Sequence, residues 1–171
     1  MTALMTIAFT LIAATAAWTS VDDGVMGGRS SSRTVRTGDG TMLFLGEVSL
    51  ENNGGFASIR SAPQQHDLAG ASGIVLRVRG DGKRYRVNLR TDAGFDGVQY
   101  QAGFTMIDGV WQDVVLDFAQ FEPRLRGRPV PDAPPLDPAR VVTFGLLIAD
   151  RQAGRFRLEL DTITSRVADR S

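Results

Sequence analysis

Alternation of apolar and polar residues is the dominant pattern in this chain from residue 41 onward. A period of two is typical of half-buried β-strands, whose side chains point in turn to the two faces of a sheet. Glycine-rich turns separate the strand-like runs, which cover residues 41–50, 56–60, 73–79, 85–90, 98–106, 110–118, 141–149 and 155–164. The pattern predicts an all-β protein of about eight to ten strands in two antiparallel sheets.

Helical periodicity is weak throughout the sequence. Residues 62–70 and 118–122 could each form a turn of helix at most, and the proline-rich stretch 123–138 predicts a long irregular connection over the surface. We find no internal repeat and no second domain. Many short strands joined by glycine and proline turns favour a jelly-roll β-sandwich, in a single domain over residues 1–171.

The two clearest strands, 73–79 and 85–90, are predicted to form a hairpin around the turn at 80–82. If the next two strands are their neighbours, one sheet face combines the polar residues and a tryptophan: Arg77, Arg79, Arg86, Asn88, Arg90, Gln99, Gln101 and Trp111. Arginine and amide groups hydrogen-bond to sugars and anions, and aromatic rings stack on sugars. The same composition suits a protein-docking surface, and an exposed sheet face is normally polar in any case.

Charge and composition exclude several classes of function. The 171 residues carry 19 basic and 19 acidic side chains, so the chain lacks the positive field typical of nucleic-acid-binding proteins. Because there is no cysteine, disulfides and thiolate chemistry are excluded. The one histidine, His66, is expected to be solvated in its loop, since a metal site or a catalytic triad needs partners. We predict no metal and no cofactor.

No constellation of catalytic residues is recognisable in the sequence. None of the four glutamates forms a pair with an aspartate at strand spacing, whereas glycoside hydrolysis needs two carboxyl groups facing one bond. The glycines at 80 and 82 are too few for a phosphate-binding loop. We therefore predict a protein that is not an enzyme.

Residues 1–17 allow two interpretations. The segment is apolar and ends in small residues, as a signal peptide does, but it has no lysine or arginine near its start. In the other interpretation, which we favour, residues 4–10 form the first strand and a short alanine-rich helical turn follows. That interpretation goes with a cytoplasmic location, and export is the alternative. The segment is too short and too rich in threonine and alanine for a membrane span.

The stretch 18–30 is the most distinctive part of the chain. Two carboxylates precede three closely spaced glycines, and the residues of interest are Trp18, Asp22, Asp23, Gly24, Met26, Gly27, Gly28 and Ser30. Glycine is favoured where another group approaches the backbone closely. We expect a tight loop in which Asp23 caps backbone N–H groups while Trp18 and Met26 cover the end of the sandwich. Binding of Ca²⁺ by the two aspartates and loop carbonyls is the alternative, and contact with a partner is compatible with either.

The same stretch resembles the signature of a known family. Its pattern, W-x-x-V-[ND]-D-G-V-M-G-G-x-S, is similar to that of the complex I intermediate-associated protein 30 family, which more often has asparagine at the position of Asp22. Further similar positions are Phe44, Gly46, 54–56, 79–82, Tyr85, Tyr100, Phe104, Trp111, 126–127 and 154–159. The resemblance therefore covers most of the chain.

This resemblance implies a β-sandwich related to galactose-binding and carbohydrate-binding jelly rolls. It also implies a non-enzymatic, chaperone-like accessory protein that binds a partner protein during assembly of a larger complex. In the mitochondrial members that complex is respiratory complex I, so subunits of a respiratory NADH dehydrogenase are the expected partners. The alternative is a binding module for a glycan or a small anion, on the face around Arg86, Asn88, Arg90 and Trp111.

Overall fold

A computed structural model describes residues 10–13, 17–66, 68–94 and 97–167, with the backbone alone at 10–13 and 25–26. In chain order its strands are β1 (Thr10–Ala13), β2 (Trp18–Ser20), β3 (Ser31–Arg36), β4 (Met42–Val48), β5 (Ala57–Ser61), β6 (Gly73–Gly80), β7 (Arg84–Arg90), β8 (Gln99–Thr105), β9 (Gln112–Asp117), β10 (Glu122–Leu125), β11 (Arg128–Pro129), β12 (Thr143–Ile148) and β13 (Gly154–Arg166). Short 3₁₀ helices cover Asp23–Met26, Glu51–Asn53, Phe118–Gln120 and Pro138–Arg140.

The strands form two sheets. One sheet has the order β3-β4-β13-β6-β9, with β1 also paired to β13, and the other has the order β11-β10-β8-β7-β12-β5-β2. Every pairing between these strands is antiparallel. The predicted all-β sandwich is therefore confirmed. Strands β2, β10 and β11, which the pattern did not predict, have four residues or fewer, too few for an alternating pattern. Strand β3 was also not predicted, because Val35 is the only apolar residue among its six.

The core lies between the two sheets, where the alternating apolar residues of each meet. On β6 the side chains of Ile74, Leu76 and Val78 are buried, as are those of Val87 and Leu89 on β7. Burial of one such side chain stabilises the fold by roughly 1.5–3 kcal/mol. The predicted inward faces of these strands are correct, so the outward faces follow from the period of two.

The predicted hairpin between 73–79 and 85–90 is wrong. Strand β6 pairs with β13 and β9, whereas β7 pairs with β8 and β12 in the other sheet. The turn at 80–82 therefore carries the chain from one sheet to the other. Alternation shows which side chains face the core, and two strands on opposite sides of one core have the same alternation as two neighbours.

The stretch 123–138 is also more regular than predicted. Strands β10 and β11 form a small hairpin at the edge of the seven-stranded sheet. Pro123 and Pro129 lie within these strands. Proline is tolerated in and near edge strands because a missing N–H there breaks fewer ladder hydrogen bonds.

His66 is not solvated, contrary to expectation. Only 4% of the residue is exposed, and its ring packs edge-to-face on Phe144 with 4.9 Å between centroids. The apolar area that the His66 ring buries against Phe144 offsets the cost of removing the ring from water.

The predicted first strand, 4–10, lies outside the described residues except for Thr10, and so do residues 14–16 of the alanine-rich segment after it. The helical turn predicted after residue 10 is wrong at residues 11–13, which belong to β1. The described part, β1, pairs with β13 at the side of the six-stranded sheet. Within the described ranges, we find no helix with the length and apolar character needed to cross a membrane.

Candidate functional site

A groove of about 730 Å³ lies on the outer face of the seven-stranded sheet, and we call it the arginine groove. Strands β5, β12, β7, β8 and β10, which are consecutive in the sheet, form its floor. Its arginines are Arg60, Arg86, Arg90, Arg124, Arg126 and Arg151. The amide side chains of Asn88, Gln99 and Gln101 lie among them.

Strand register explains why these side chains share a face. Gly145 on β12 lies opposite Arg60 on one side and Asn88 on the other, and Asn88 lies opposite Gln101. A Cβ atom at Gly145 would come within 3.1 Å of the Ile59 carbonyl oxygen and 3.3 Å of the Asn88 Cβ. Because Gly145 has no side chain, the floor of the groove is low between the polar side chains of Arg60 and Asn88 on the two neighbouring strands.

The protein's own acceptors hold several of the guanidinium groups in place. Arg86 forms an ion pair with Asp150 and donates to the Gln101 Oε1 at 3.3 Å. Arg90, of which 1% is exposed, donates to the Gly94 carbonyl and lies 3.5 Å from Asp92. Guanidinium groups with fixed positions lose less entropy when they bind an anion than mobile surface arginines do.

The groove is electropositive. Six arginines line it, against two aspartates, Asp23 and Asp150. Burial, together with the positive charge of Arg90, lowers the pKa of Arg60 although Asp92 opposes the shift. The lowered pKa of Arg60 therefore reflects burial and the crowding of like charge in this part of the groove.

The loop at 18–30 contributes Val21 and Asp23 to the lining of this groove, and Asp23 is fully buried. One oxygen of Asp23 accepts the Ser30 N–H at 2.8 Å. The other accepts the Ser30 hydroxyl at 2.6 Å and the N–H groups of Gly55 at 2.7 Å and Phe56 at 3.3 Å. Burial by itself would raise the pKa of Asp23, but these hydrogen bonds outweigh it and hold the pKa below its usual value.

Asp22 points to different partners. Its carboxylate accepts the N–H of Ser32 at 2.8 Å, the Ser32 hydroxyl at 2.6 Å and the N–H of Ser58 at 3.1 Å. Asp22 and Asp23 together tie the loop to the start of β3 and to the β4–β5 region, and we call the pair the aspartate clamp. N–H and O–H donors surround both carboxylates and would repel a cation, so the clamp geometry argues against the Ca²⁺ alternative.

Gly28 and Gly54 lie so close to the Asp23 carboxylate that neither position has room for a side chain. A Cβ at Gly28 would lie 2.4 Å from the Asp23 Cγ, and one at Gly54 would lie 2.6 Å from its Oδ2. Gly27 ends the 3₁₀ helix with a φ of 87°, and Gly24 lies within that helix. Trp18 packs against the core, whereas the side chain of Met26 lies outside the described residues.

The predicted polar face is divided between the two sheets. Arg86, Asn88, Arg90, Gln99 and Gln101 line the arginine groove. The other three predicted residues, Arg77, Arg79 and Trp111, belong to the six-stranded side of the molecule. The division follows from the incorrect hairpin, since β6 and β7 lie in different sheets.

Arg77, Arg79 and Trp111 form a cluster of their own. The guanidinium of Arg79 lies 5.0 Å from the centre of the Trp111 ring and 2.8 Å from the carboxylate of Glu159. Arg77 lies 5.7 Å from the same ring and pairs with Asp113, its cross-strand neighbour, at 3.2 Å. These are cation–π and cross-strand charge contacts within the protein, so this cluster stabilises the six-stranded sheet.

Comparison with known proteins identifies the family. The sequence model described as complex I intermediate-associated protein 30 matches residues 7–160. The chain belongs to this family. The aspartate clamp lies within the stretch 18–30, whose sequence resembles the signature of this family.

Curated relatives agree with this assignment. The chain is 29% identical to "Complex I intermediate-associated protein 30, mitochondrial" of Drosophila melanogaster over 171 aligned positions, which cover 85% of this chain and 57% of that protein. It is 28% identical to the Mus musculus protein of the same name, covering 85% of this chain and 51% of that one. The chain therefore spans a little over half the length of these two relatives.

Solved structures with the same fold include carbohydrate-binding modules. The family 11 module of a Clostridium thermocellum cellulase has a TM-score of 0.70 at 18% identity, with 99% of each chain covered. A family 30 carbohydrate-binding module has a TM-score of 0.55 at 14% identity, covering 98% of this chain and 91% of that one. These likenesses confirm the jelly-roll β-sandwich, and at such low identity they show the fold alone.

Sequence reasoning missed four arginines of the groove: Arg60, Arg124, Arg126 and Arg151. Arg60 alternates with buried Ile59 and Ser61 on β5, so its outward face could be read from the sequence. The residues that lie beside Arg60 could not be read from the sequence, because β5 pairs with β12, which is more than eighty residues away in the chain.

Proposed function

We propose that this protein is a non-enzymatic accessory factor that binds a partner protein during assembly of a respiratory NADH dehydrogenase complex. The main support for this proposal is that the family's sequence model matches residues 7–160. The names of the fly and mouse relatives also support it. The arginine groove offers a pre-formed surface for such a partner, with arginine, the residue type enriched at protein interfaces.

The carboxylates of the groove support a binding role over a catalytic one. Asp23 accepts four hydrogen bonds, and Asp150 forms an ion pair with Arg86. A general acid or base needs a carboxyl group that is free to exchange a proton with a substrate. Neither aspartate meets that requirement.

A glycan is the alternative ligand, and the lining of the groove gives it less support. Phe56 is the aromatic residue among the described lining residues, and neither a tryptophan nor a tyrosine lies there. Trp111, on which the sugar-stacking prediction depended, lies on the other sheet's side of the molecule. Aromatic platforms supply much of the contact area when a protein binds a sugar ring.

A crosslinked pull-down of the tagged protein from its native cells tests the proposal, with an unrelated tagged β-sandwich as the control. Mass spectrometry should show enrichment of NADH dehydrogenase subunits, or of assembly intermediates that contain them, over the control. Recovery of the protein without any partner would contradict the proposal. In that case a stabilising shift in melting temperature with a sugar from a glycan panel would support the alternative.

A further inference from the structure

Positive charge is concentrated in the arginine groove although the whole chain is neutral. The sequence has 19 basic and 19 acidic residues, yet six arginines and two aspartates line the groove. Asp23 is engaged in the clamp and Asp150 pairs with Arg86, so the described lining has an excess of four positive charges. Asp92 and Glu122 approach Arg90 and Arg124 from the rim, but they are 57% and 72% exposed, so solvent screens them strongly.

Asn88 on the groove floor adds a second observation. Its Oδ1 is buried and has no hydrogen-bond partner among the described residues, and 8% of the residue is exposed. A buried amide oxygen without a partner is an exception in folded proteins. Asn88 lines the groove, so a ligand N–H group that reaches this oxygen would supply the missing partner.

The size of the groove favours an extended ligand over a single small anion. Five adjacent strands about 4.8 Å apart make a floor of about 19 Å, which accommodates roughly six residues of extended chain. An acidic peptide supplies carboxylates for the guanidinium groups and backbone N–H groups for Asn88. A phosphate supplies the anion without the amide donor.

We propose that the arginine groove binds an extended, acidic peptide segment of the partner. This inference rests on the proposed function, because it takes the partner to be a protein, and it adds the chemistry by which the partner is recognised. The carboxylates of the segment pair with arginines from β5, β7 and β10, and its backbone passes over Asn88 and the low floor at Gly145.

Fluorescence anisotropy with a labelled oligoglutamate peptide tests the proposal on the purified protein. An oligoglutamine peptide of the same length is the matched control. We expect binding of oligoglutamate alone, which weakens as ionic strength rises from about 0.01 M to about 0.15 M and the Debye length falls from about 30 Å to about 8 Å. Equal affinity for both peptides, or no binding of either, would overturn the proposal.

Variants locate the binding. Arg86→Gln and Arg124→Gln should each weaken oligoglutamate binding about fivefold, and the double variant about twenty-fivefold, as expected for loss of partly screened charge pairs. Arg33→Gln makes the same charge change at an exposed position on β3, in the other sheet, and should leave affinity unchanged. Equal weakening by all three variants would show a general charge effect and refute the groove as the site.

Two further outcomes separate this inference from the proposed function. If the double variant still captures the NADH dehydrogenase subunits in a pull-down, the partner binds elsewhere: the groove proposal fails and the assembly function stands. If oligogalacturonate or polyphosphate binds more tightly than oligoglutamate at equal charge, the groove recognises another class of anion and the peptide proposal fails. Unchanged melting temperatures of the variants show that altered binding does not reflect unfolding.

Discussion

Asp22 and Asp23 are adjacent in the sequence, but their carboxylates serve different parts of the fold. Asp22 accepts hydrogen bonds from the N–H groups of Ser32 and Ser58, and Asp23 accepts them from the N–H groups of Ser30 and Gly55. Each carboxylate replaces water on backbone N–H groups that would otherwise be left unsatisfied near the core. The clamp therefore fixes a loop that contributes to the lining of the arginine groove.

Asp23→Asn should destabilise the protein by about 2–4 kcal/mol. An amide has one oxygen, so its NH₂ group would face a donor N–H now satisfied by the second carboxylate oxygen, and charge-assisted bonds would become neutral ones. Urea unfolding measures the loss. Asp39→Asn, the same change at an exposed turn residue, should alter stability by less than about 0.5 kcal/mol. An equal loss in both variants would contradict the role given to the clamp.

Low pH should reduce the stability of the wild-type protein by protonating Asp23. Because the pKa of Asp23 is lowered in the folded state, its contribution to stability is complete above the unfolded pKa of about 4 and is lost as pH falls through the folded value. The pKa of Glu159 is also lowered: burial would raise it, but hydrogen bonds from Thr41 and Arg79 outweigh burial. Protonation of Glu159 therefore adds to the loss of stability in acid. Urea midpoints below about pH 4 should therefore fall more steeply for wild type than for Asp23→Asn.

At the scale of elements, the alternating pattern gave correct inward faces for β6, β7 and β8 but not their neighbours. Tyr85 and Tyr100 are buried as the pattern predicts. The pairing of β12 with β5 and β7 brings distant parts of the chain together, and hydrophobic periodicity contains no information on such pairing. The same limit explains why Trp111 was placed on the wrong side of the molecule.

The loop glycines can be tested against each other within one element. Gly28→Ala should cost about 1–3 kcal/mol, because its Cβ would lie 2.4 Å from the Asp23 Cγ and the clamp cannot move without losing hydrogen bonds. Gly24→Ala is the control in the same loop, since a Cβ there meets nothing within 4 Å, and it should be neutral or slightly stabilising. Thermal unfolding compares the two. A neutral Gly28→Ala would mean that the clamp is looser than its hydrogen bonds indicate.

At the scale of the molecule, sequence reasoning reached the fold class and family but only part of the site. Arg86, Asn88 and Arg90 lie on one strand, so their common face follows from the period of two. Arg60 and Arg124 join them only because β5 and β10 lie on either side of the β12–β7–β8 centre of the sheet. A surface assembled from five strands depends on sheet order, which one sequence does not reveal.

The central claim is that the arginine groove is where the partner binds, and site-specific photo-crosslinking in native cells tests it most directly. A photo-reactive benzophenone amino acid would replace Gln99, which lines the groove, or Val115, which is 45% exposed on β9 in the other sheet. The account predicts crosslinks from position 99 to a respiratory NADH dehydrogenase subunit or assembly intermediate, and none from position 115. Crosslinks to that partner from 115 and not from 99 would contradict it.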